Sequence, residues 1–432
     1  MARVLLLCIA VALPFAPSHD AHADVRASER AKIEKAFAAY LRTDDEKSRD
    51  KIWKGIEKLA DKLSITEIEE IVRTAAVGDD WDRGYTDEIA FGAGGETWTY
   101  SLLLPRTKPK GLVPLVVDVG HASWKDADAT KREEGIRTWL RAAGAGDDVA
   151  YLRTRVLDKL SLDGRYEAWT APPRRPLDKP NLDTLGSIVL AAIGDACHRY
   201  PIDPDRVHVQ GISQTGYWTW WLAQMAPDRW AAAAPVGAVT MHVRKMVPNV
   251  VGVPLFVLHG TADPTCPFAQ AKGMVDDIKQ AGGTVDFRPT EGGGHMDGVF
   301  VRFAEIWPEM ARRTRDAYPK RVERKITSDL RPGAYWLRAG GIEAREFNPW
   351  GPPCHLTGTI DGQTVEITAT GCRQVTVFLS PHLLDVDQDV TINVGGKQAW
   401  RGRLEPDPRA ALELARTRGD AATYGASVTL EP

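Results

Sequence analysis

The sequence predicts an α/β protein with a mostly parallel sheet that carries helices on both faces. Between residues 86 and 319, short apolar segments alternate with segments of helical periodicity. The short segments are apolar at successive positions, which is typical of parallel strands covered on both sides. A helical segment (24–85) comes before this region, and shorter alternating strands follow it. We therefore expect an N-terminal helical segment, an α/β domain at 86–319 and a small β-rich domain at 325–432.

The first 23 residues resemble a secretory signal. Arg3 gives the positive start, Val4 to Ala16 the apolar run, and Ala21-His22-Ala23 the small-x-small cleavage pattern. A membrane anchor is the alternative, but the run is shorter than the roughly 20 residues that span a bilayer. We expect removal of residues 1–23, a secreted or periplasmic protein and no membrane span afterwards.

Composition argues against several partners. The net charge is only -3, and basic residues form no run with interleaved aromatics, so no nucleic-acid partner is expected. No Cys or His spacing resembles a zinc site, and we expect neither a metal nor another cofactor. Four cysteines follow the leader, and Cys354 and Cys372, which flank one strand-turn-strand segment, are the candidate disulfide pair.

The region 24–85 is charged, contains few glycines and has helical periodicity. Ile33, Phe37, Tyr40 and Leu41 recur with a period near 3.6 residues. We expect a helical layer packed on the region after it, with a partner-binding helix pair as the alternative. The α/β domain then continues with predicted strands at 112–119, 149–156, 207–210, 231–236, 254–258 and near 285, and with helices at 130–143, 185–200, after 213, 268–280 and from 299.

Helix 130–143 is expected to begin with a capping box of Thr130 and Glu133. The β-rich domain contains one clear hairpin signal, Asp361-Gly362, between alternating strands.

Three polar side chains follow predicted strands in the order serine, acid, histidine. Ser213 follows VHVQ, Asp263 follows PLFVLH, and His295 follows the strand near 285. Reactive groups in an open α/β sheet lie at the carboxyl ends of strands. A serine hydroxyl needs an imidazole to take its proton, and the imidazole needs a carboxylate to orient it. We therefore predict Ser213 as nucleophile, His295 as base and Asp263 as the orienting acid.

The segments around these residues resemble the α/β-hydrolase family. They read YPIDPDRVHVQGIS, APDRWAAAAPVGA, HGTADPTCPF and GGGHM. The resemblance covers residues 112–315 and is closest to the esterase, polyhydroxybutyrate-depolymerase-like and prolyl-oligopeptidase-like branch. It implies an α/β-hydrolase sheet and hydrolysis through an acyl-enzyme. The family turn usually reads G-x-S-x-G, whereas this chain has Thr215 in place of the second glycine. We expect the Thr215 hydroxyl to bond to backbone and Gly216 to provide the missing room.

The same resemblance implies further site residues. The oxyanion is expected to bind the backbone N–H of Gln214 and a second N–H from Gly120 or His121. His121 is also a rival base. Trp124 and Trp169 are the candidate substrate-binding residues, the latter in a proline-rich connection (157–183) read as a lid. Tyr217, Trp218, Trp220 and Trp221, on the helix after Ser213, are expected in the core.

Three functions are compatible with these residues. The favoured one is an exported serine hydrolase that cleaves small or polymeric carboxylic esters. The segment before residue 86 is too short for a propeller, which disfavours the alternative, a peptidase of prolyl-oligopeptidase type. A non-catalytic binding protein, whose β domain contacts polysaccharide, is the third. Because residues 325–432 carry none of the proposed catalytic groups, a chain ending near Pro319 is expected to hydrolyse small esters if it folds.

Overall fold

The computed structural model describes most of the chain outside the predicted leader. The described residues are 26–43, 45–81, 84–120, 128–142, 144–145, 149–156, 159, 182–240, 243–297, 299–327, 331–342 and 354–432. The predicted signal, His121, Trp124, Trp169 and most of the predicted lid lie outside them. Among the described residues, no helix combines the length and apolar character needed to cross a bilayer.

The centre of the molecule is an eight-stranded, mostly parallel sheet. Its strands are β1 Tyr85–Ala93, β2 Glu96–Leu103, β3 Val113–Asp118, β4 Ala150–Thr154, β5 Ile202–Ile212, β6 Ala232–Val236, β7 Leu255–Gly260 and β8 Val285–Thr290. They lie in the order β1-β2-β4-β3-β5-β6-β7-β8. β3 to β8 are mutually parallel, and β2 pairs antiparallel with both β1 and β4. The carboxyl ends of six strands therefore meet at one edge.

Helices cover both faces of this sheet, as the sequence predicts. In chain order, the α-helices of the described residues are α1 Ala27–Leu41, α2 Glu46–Lys54, α3 Glu57–Ala60, α4 Ile65–Ala75, α5 Ala129–Ala142, α6 Leu182–Arg199, α7 Gln214–Met225, α8 Phe268–Gln280, α9 Val299–Met310 and α10 Pro408–Arg418. α6, α7 and α8 share one apolar core with the sheet, and α5 and α9 share another with the opposite face. The predicted α/β class, a mostly parallel sheet with helices on both faces, is confirmed.

The start of α5 differs from the prediction. The helix begins at Ala129, and the Asp128 side chain accepts a hydrogen bond of 2.8 Å from the Lys131 N–H. Asp128 therefore caps the helix, and the predicted capping box is wrong. Glu133 instead accepts a hydrogen bond of 2.7 Å from Arg137, one turn further on. An aspartate side chain caps a helix at least as well as threonine does, so residue type alone does not favour Thr130 over Asp128.

The N-terminal helices pack against the far end of the chain. The core that α1 to α4 form includes Ala411, Leu412 and Ala415 of α10. The fully buried Ile33 and Phe37 belong to this core, so their periodicity reflects packing inside the molecule. The helical layer thus lies on a helix near the C-terminus, more than 300 residues away in sequence.

The C-terminal region is a pair of sheets around one core. Its strands are β9 Arg321–Ile326, β10 Gly333–Ala334, β11 Leu337–Gly340, β12 Cys354–Asp361, β13 Thr364–Thr370, β14 Gln374–Leu379, β15 Val390–Val394, β16 Lys397–Gly402 and β17 Ala426–Leu430. The sheets have the orders β10-β11-β14-β17 and β16-β15-β13-β12-β9. Asp361 pairs with Thr364 and Gly362 has φ of 52°, as the predicted hairpin requires. Cys354 and Cys372, the candidate disulfide pair, form no disulfide, although their side chains lie close enough to interact.

Buried ion pairs join this region to the part of the chain that forms the eight-stranded sheet. Both terminal nitrogens of Arg315 donate to the Asp420 carboxylate at 2.6 Å, and Arg315 Nε donates to Asp205 at 3.0 Å. Burial raises the pKa of Asp420, but Arg315 and Arg229 outweigh it and hold the pKa well below its usual range. The network pairs charges that lie 105 residues apart in the chain, which ties the two regions into one structure.

Candidate active site

Ser213 occupies the sharp turn between strand β5 and helix α7. Its φ of 56° and ψ of −117° lie where residues other than glycine are rarely found. The Ser213 N–H donates to the carbonyl of Val236 at 2.9 Å, and its own carbonyl accepts from Tyr217 N–H at 3.0 Å. Such a conformation costs about 1–3 kcal/mol and persists where the surroundings fix it. The turn therefore presents the hydroxyl at the carboxyl edge of the sheet.

Two glycines allow the close approach of strand and helix at this turn. A Cβ at Gly211 would overlap the carbonyl of Thr215. A Cβ at Gly216 would lie 2.8 Å from both the Val236 carbonyl O and the Ala238 Cβ. Gly216 thus provides space that the usual second glycine of the turn is expected to give.

Thr215, the departure from the family pattern, is bonded to the turn itself. Its Oγ1 accepts the Ile212 N–H at 2.9 Å and donates to the Ile212 carbonyl at 2.9 Å. The side chain is buried, and these bonds satisfy a hydroxyl that would otherwise be desolvated without a partner. The β-branched residue is accommodated because its polar atom closes the turn.

Ser213, His295 and Asp263 form a continuous hydrogen-bonded series. The Ser213 Oγ lies 2.9 Å from His295 Nε2, and His295 Nδ1 lies 2.7 Å from Asp263 Oδ2. The carboxylate can only accept, so Nδ1 carries the proton and Nε2 is left to accept the serine hydroxyl. The three residues come from the loops after β5, β7 and β8, which the parallel sheet brings to one edge.

Asp263 is held as a carboxylate by its surroundings. Its Oδ1 accepts the backbone N–H groups of Thr265 and Cys266, both at 2.8 Å. Burial raises the pKa of Asp263, but the Cys266 N–H, the His295 ring and the Thr265 N–H together lower it below 3.8. His259, which we expect to support this loop, has its Nε2 2.7 Å from the Cys266 carbonyl, so that ring nitrogen donates there.

The histidine loop passes close to the end of β7. A Cβ at Gly260 would overlap the carbonyl oxygens of Gly293 and Gly294. Gly292 has φ of 66°, and its N–H donates to Thr261 Oγ1 at 2.8 Å. The glycine run before His295, visible in the sequence, thus meets a glycine on the neighbouring strand and lets the ring reach Ser213.

The loop after β3 is anchored by Asp118. The Gly120 N–H donates to Asp118 Oδ1 at 3.0 Å, while Asp118 Oδ2 accepts from Tyr151 Oη at 2.9 Å and lies 3.3 Å from Arg153 Nη1. Of the two predicted loop donors, Gly120 therefore already uses its N–H within the loop. His121 lies outside the described residues. Gln214 is the first residue of α7, where backbone N–H groups point out of the helix end.

Asp118 and its partners were missed at the sequence level. A signal was present, since Asp118 interrupts an otherwise apolar strand. The strands that carry Asp118 and Arg153 are neighbours in space but 30 or more residues apart in sequence, so pairing could not be read from the sequence.

The aromatic residues after Ser213 belong to the core. Tyr217, Trp218, Trp220 and Trp221 are each no more than 5% exposed. They are packing residues of α7, as expected from aromatic burial. The substrate-binding roles of Trp124 and Trp169 stay predictions, because both residues lie outside the described part of the chain.

One group of side chains has the composition of a metal site. Ligand atoms of Asp263, Cys266 and His295 lie within 4.8 Å of one another. Asp263 and His295 are already bonded to each other, and burial with the nearby Asp263 charge raises the pKa of Cys266 to about 11. A metal ligand must be a thiolate, so the group is better suited to proton transfer than to binding a cation.

Comparison with known proteins places an esterase among the relatives. No family model matches the chain. Over 165 residues it is 27% identical to "Putative esterase NocK" of Nocardia uniformis subsp. tsuyamanensis, covering 38% of this chain and 43% of that protein. The chain thus spans less than half of that curated relative.

Two solved structures are similar at lower identity. A thermostable esterase is 20% identical, with a TM-score of 0.42, over 54% of this chain and 63% of its own. An acylaminoacyl peptidase is 15% identical, with a TM-score of 0.40, over 54% and 42%. At such low identities and TM-scores, the two similarities do not indicate the activity of this chain.

Proposed function

We propose that this chain is an exported serine hydrolase that cleaves carboxylic esters through an acyl-enzyme. The observation that carries the proposal is the unbroken series from Ser213 Oγ through the His295 ring to Asp263. This geometry is the one by which a neutral serine becomes a nucleophile at neutral pH. The secretory pattern of residues 1–23 supports export.

In the first half-reaction, Ser213 Oγ attacks the ester carbonyl carbon while His295 Nε2 takes the hydroxyl proton. The low pKa of Asp263 keeps a negative charge against Nδ1, which stabilises the imidazolium that forms. The tetrahedral oxyanion accepts from the Gln214 N–H and, since Gly120 donates to Asp118, from the His121 N–H. Collapse breaks the bond to the alcohol oxygen, and His295 returns its proton to that leaving group.

In the second half-reaction, water attacks the acyl-enzyme while His295 takes one of its protons. The second tetrahedral intermediate collapses with loss of Ser213 Oγ, which regains the proton from His295. The products are the carboxylic acid and free enzyme, and protons balance over the cycle. No step requires a metal or an organic cofactor.

Similarity to a protein described as an esterase favours esters over amides as substrates. The test uses full-length protein with a fluorophosphonate probe and with short acyl esters, feruloyl esters and aminoacyl amides. Labelling of Ser213 together with ester turnover would support the proposal. Labelling that survives Ser213→Ala would remove the nucleophile assignment, and turnover of amides alone would replace the esterase by a peptidase.

A further inference from the structure

A small cavity lies between the last turn of helix α7 and strand β9. It is about 16 Å along the helix from Ser213, at 1.5 Å per residue. Its volume is ≈ 20 Å³, and its lining includes Gln224, Asn249, Arg324, Lys325 and Arg331. A cavity of this size admits one or two species the size of water.

The amide of Gln224 is the first indication that the cavity holds a ligand. The residue is 0% exposed, and among the described residues neither its Nε2 nor its Oε1 has a hydrogen-bond partner. A buried amide without partners is destabilising by about 1–3 kcal/mol, and native proteins rarely leave one so. A group inside the cavity is therefore expected to accept from Gln224 Nε2.

The other amide in the cavity wall is already satisfied. Asn249 Nδ2 donates to the carbonyl of Lys325 at 2.9 Å, and its Oδ1 accepts the Lys325 N–H at 2.7 Å. Asn249 thus holds strand β9 in place. Of the two amides, only that of Gln224 is without a partner among the described residues.

The charge around the cavity is positive. Arg324, Lys325 and Arg331 line it, and no carboxylate does among the described residues. Within the described chain Arg331 makes no hydrogen bond or ion pair. Burial lowers the pKa of Arg331, while Asp228 and Asp420 raise it and Arg418 and Arg229 lower it, so that the pKa lies at about 10. Arg331 therefore remains charged at neutral pH, and the carboxylates that act on it, Asp228 and Asp420, are themselves paired with Arg418 and Arg315.

We propose that this cavity binds a small monovalent anion of the size of chloride, held by the Arg331 guanidinium and the Gln224 amide N–H. An anion only accepts hydrogen bonds, and these two groups supply donors and positive charge. The volume is sufficient for a halide. Because Gln224 lies in α7 and Arg331 between β9 and β10, the anion joins the helix after Ser213 to the C-terminal region.

The first test measures thermal unfolding of the full-length protein while sodium chloride or bromide replaces sodium gluconate at constant ionic strength. Constant ionic strength keeps screening unchanged. A ligand that binds only the folded state raises the unfolding midpoint saturably, here by about 1–3 °C. Arg331→Gln should abolish the halide response. Arg338→Gln, at an exposed arginine of the same region, should retain it.

A second test does not depend on the stability of a variant. Crystals of the wild-type protein grown in bromide should show an anomalous peak between Arg331 and Gln224 Nε2. Gln224→Met, which keeps the length of the side chain and removes the amide, should lose the peak and the halide response. A water in place of bromide, or an undiminished halide response in either variant, would overturn the proposal.

Discussion

The Thr215 hydroxyl lies 2.9 Å from both the N and the O of Ile212, so the residue that departs from the family pattern bonds across the catalytic turn. This arrangement explains how a β-branched side chain is tolerated two residues after the proposed nucleophile. It also makes the hydroxyl, and not the bulk of Thr215, the feature on which the turn depends.

The first prediction concerns this hydroxyl. Thr215→Val keeps the shape but leaves the Ile212 N–H and carbonyl without their partner, so we expect a loss of about 1–3 kcal/mol in stability and a lower kcat. Thr215→Ser should retain most of both. The measurements are ester hydrolysis and denaturant unfolding.

Thr219→Val is the matched control, because the Thr219 hydroxyl donates to the Thr215 carbonyl within the same helix at 2.9 Å. We expect it to reduce stability without a comparable effect on kcat. Equal kcat in Thr215→Val and wild type would show that the bridge is not needed for catalysis.

The second prediction concerns the three catalytic residues. Ser213→Ala and His295→Ala should each abolish ester hydrolysis nearly completely, because the members of such a unit fail together. Asp263→Asn should reduce kcat somewhat less, since Asp263 orients and stabilises without exchanging a proton with substrate. Steady-state kinetics on one soluble ester ranks the three variants.

The pH profile gives an independent check on Asp263. Its pKa is lowered from 3.8, so the carboxylate remains ionised throughout the range above that value. The stabilisation from its ion pair is therefore present above pH 3.8 and is lost only as pH falls through the folded-state pKa. If activity is lost at a pH above 3.8, protonation of Asp263 is not the cause. The stability difference between the wild-type protein and Asp263→Asn should therefore shrink as pH falls below 3.8, which denaturant unfolding measures.

The third prediction concerns Asp118, which accepts from the Gly120 N–H, from Tyr151 and from Arg153. We expect Asp118→Leu to release the loop that carries the proposed His121 donor. Loss of one oxyanion donor lowers kcat by about 100-fold, so a partial displacement should cost about 10-fold with little change in KM.

Asp203→Leu is the control for Asp118→Leu, because Asp203 accepts from Arg206 at 2.7 Å near the start of β5, at the opposite edge of the sheet. It should leave kcat unchanged. If both variants lower kcat alike, Asp118 acts only through general stability.

The fourth prediction concerns Glu69 of helix α4. Its carboxyl accepts from Gly425 N–H and from Ser380 Oγ, both at 2.9 Å, and it is 7% exposed. Burial raises its pKa to about 7 from 4.5, against the effect of these bonds. Between those pH values the folded protein binds a proton that the unfolded chain releases. Stability from this group is therefore complete below pH 4.5 and is lost as pH rises through 7.

Glu69→Gln removes the titration while keeping a group that can bond to both partners. The free energy of unfolding of the variant, relative to that of the wild-type protein, should be on the order of 1–2 kcal/mol higher at pH 8 than at pH 5. Denaturant unfolding at the two pH values measures the difference. Glu70→Gln, at the exposed neighbouring position, should show none. A Glu69→Gln effect that does not depend on pH would contradict the assignment.

The sequence predicts those parts of the site that depend on local pattern. Ser213, Asp263 and His295 each follow an apolar strand, and a parallel sheet necessarily brings such positions to one edge. The partners of Asp118 could not be found because β4 lies between β2 and β3 in space, which no local pattern encodes. The packing of α1 to α4 against α10 could not be predicted for the same reason, because it joins amphipathic faces from opposite ends of the chain.

The last prediction corrects the expectation that a chain ending at Pro319 would remain active if it folds. The truncation removes Asp420, which leaves the buried Arg315 without its bidentate partner. Removing one member of a buried ion pair costs about 3–5 kcal/mol, a large part of the stability of a typical domain. The same truncation removes α10, on which the N-terminal helices pack, and Arg324, whose terminal nitrogens donate to the Gln224 and Met225 carbonyls.

We therefore expect the truncated chain to be insoluble or unfolded by circular dichroism, with no ester hydrolysis. Full-length Asp420→Asn should fold with reduced stability, because only the ion pair is weakened. A soluble truncated chain with near-native ester hydrolysis would show that the catalytic domain folds alone and that the buried junction is dispensable.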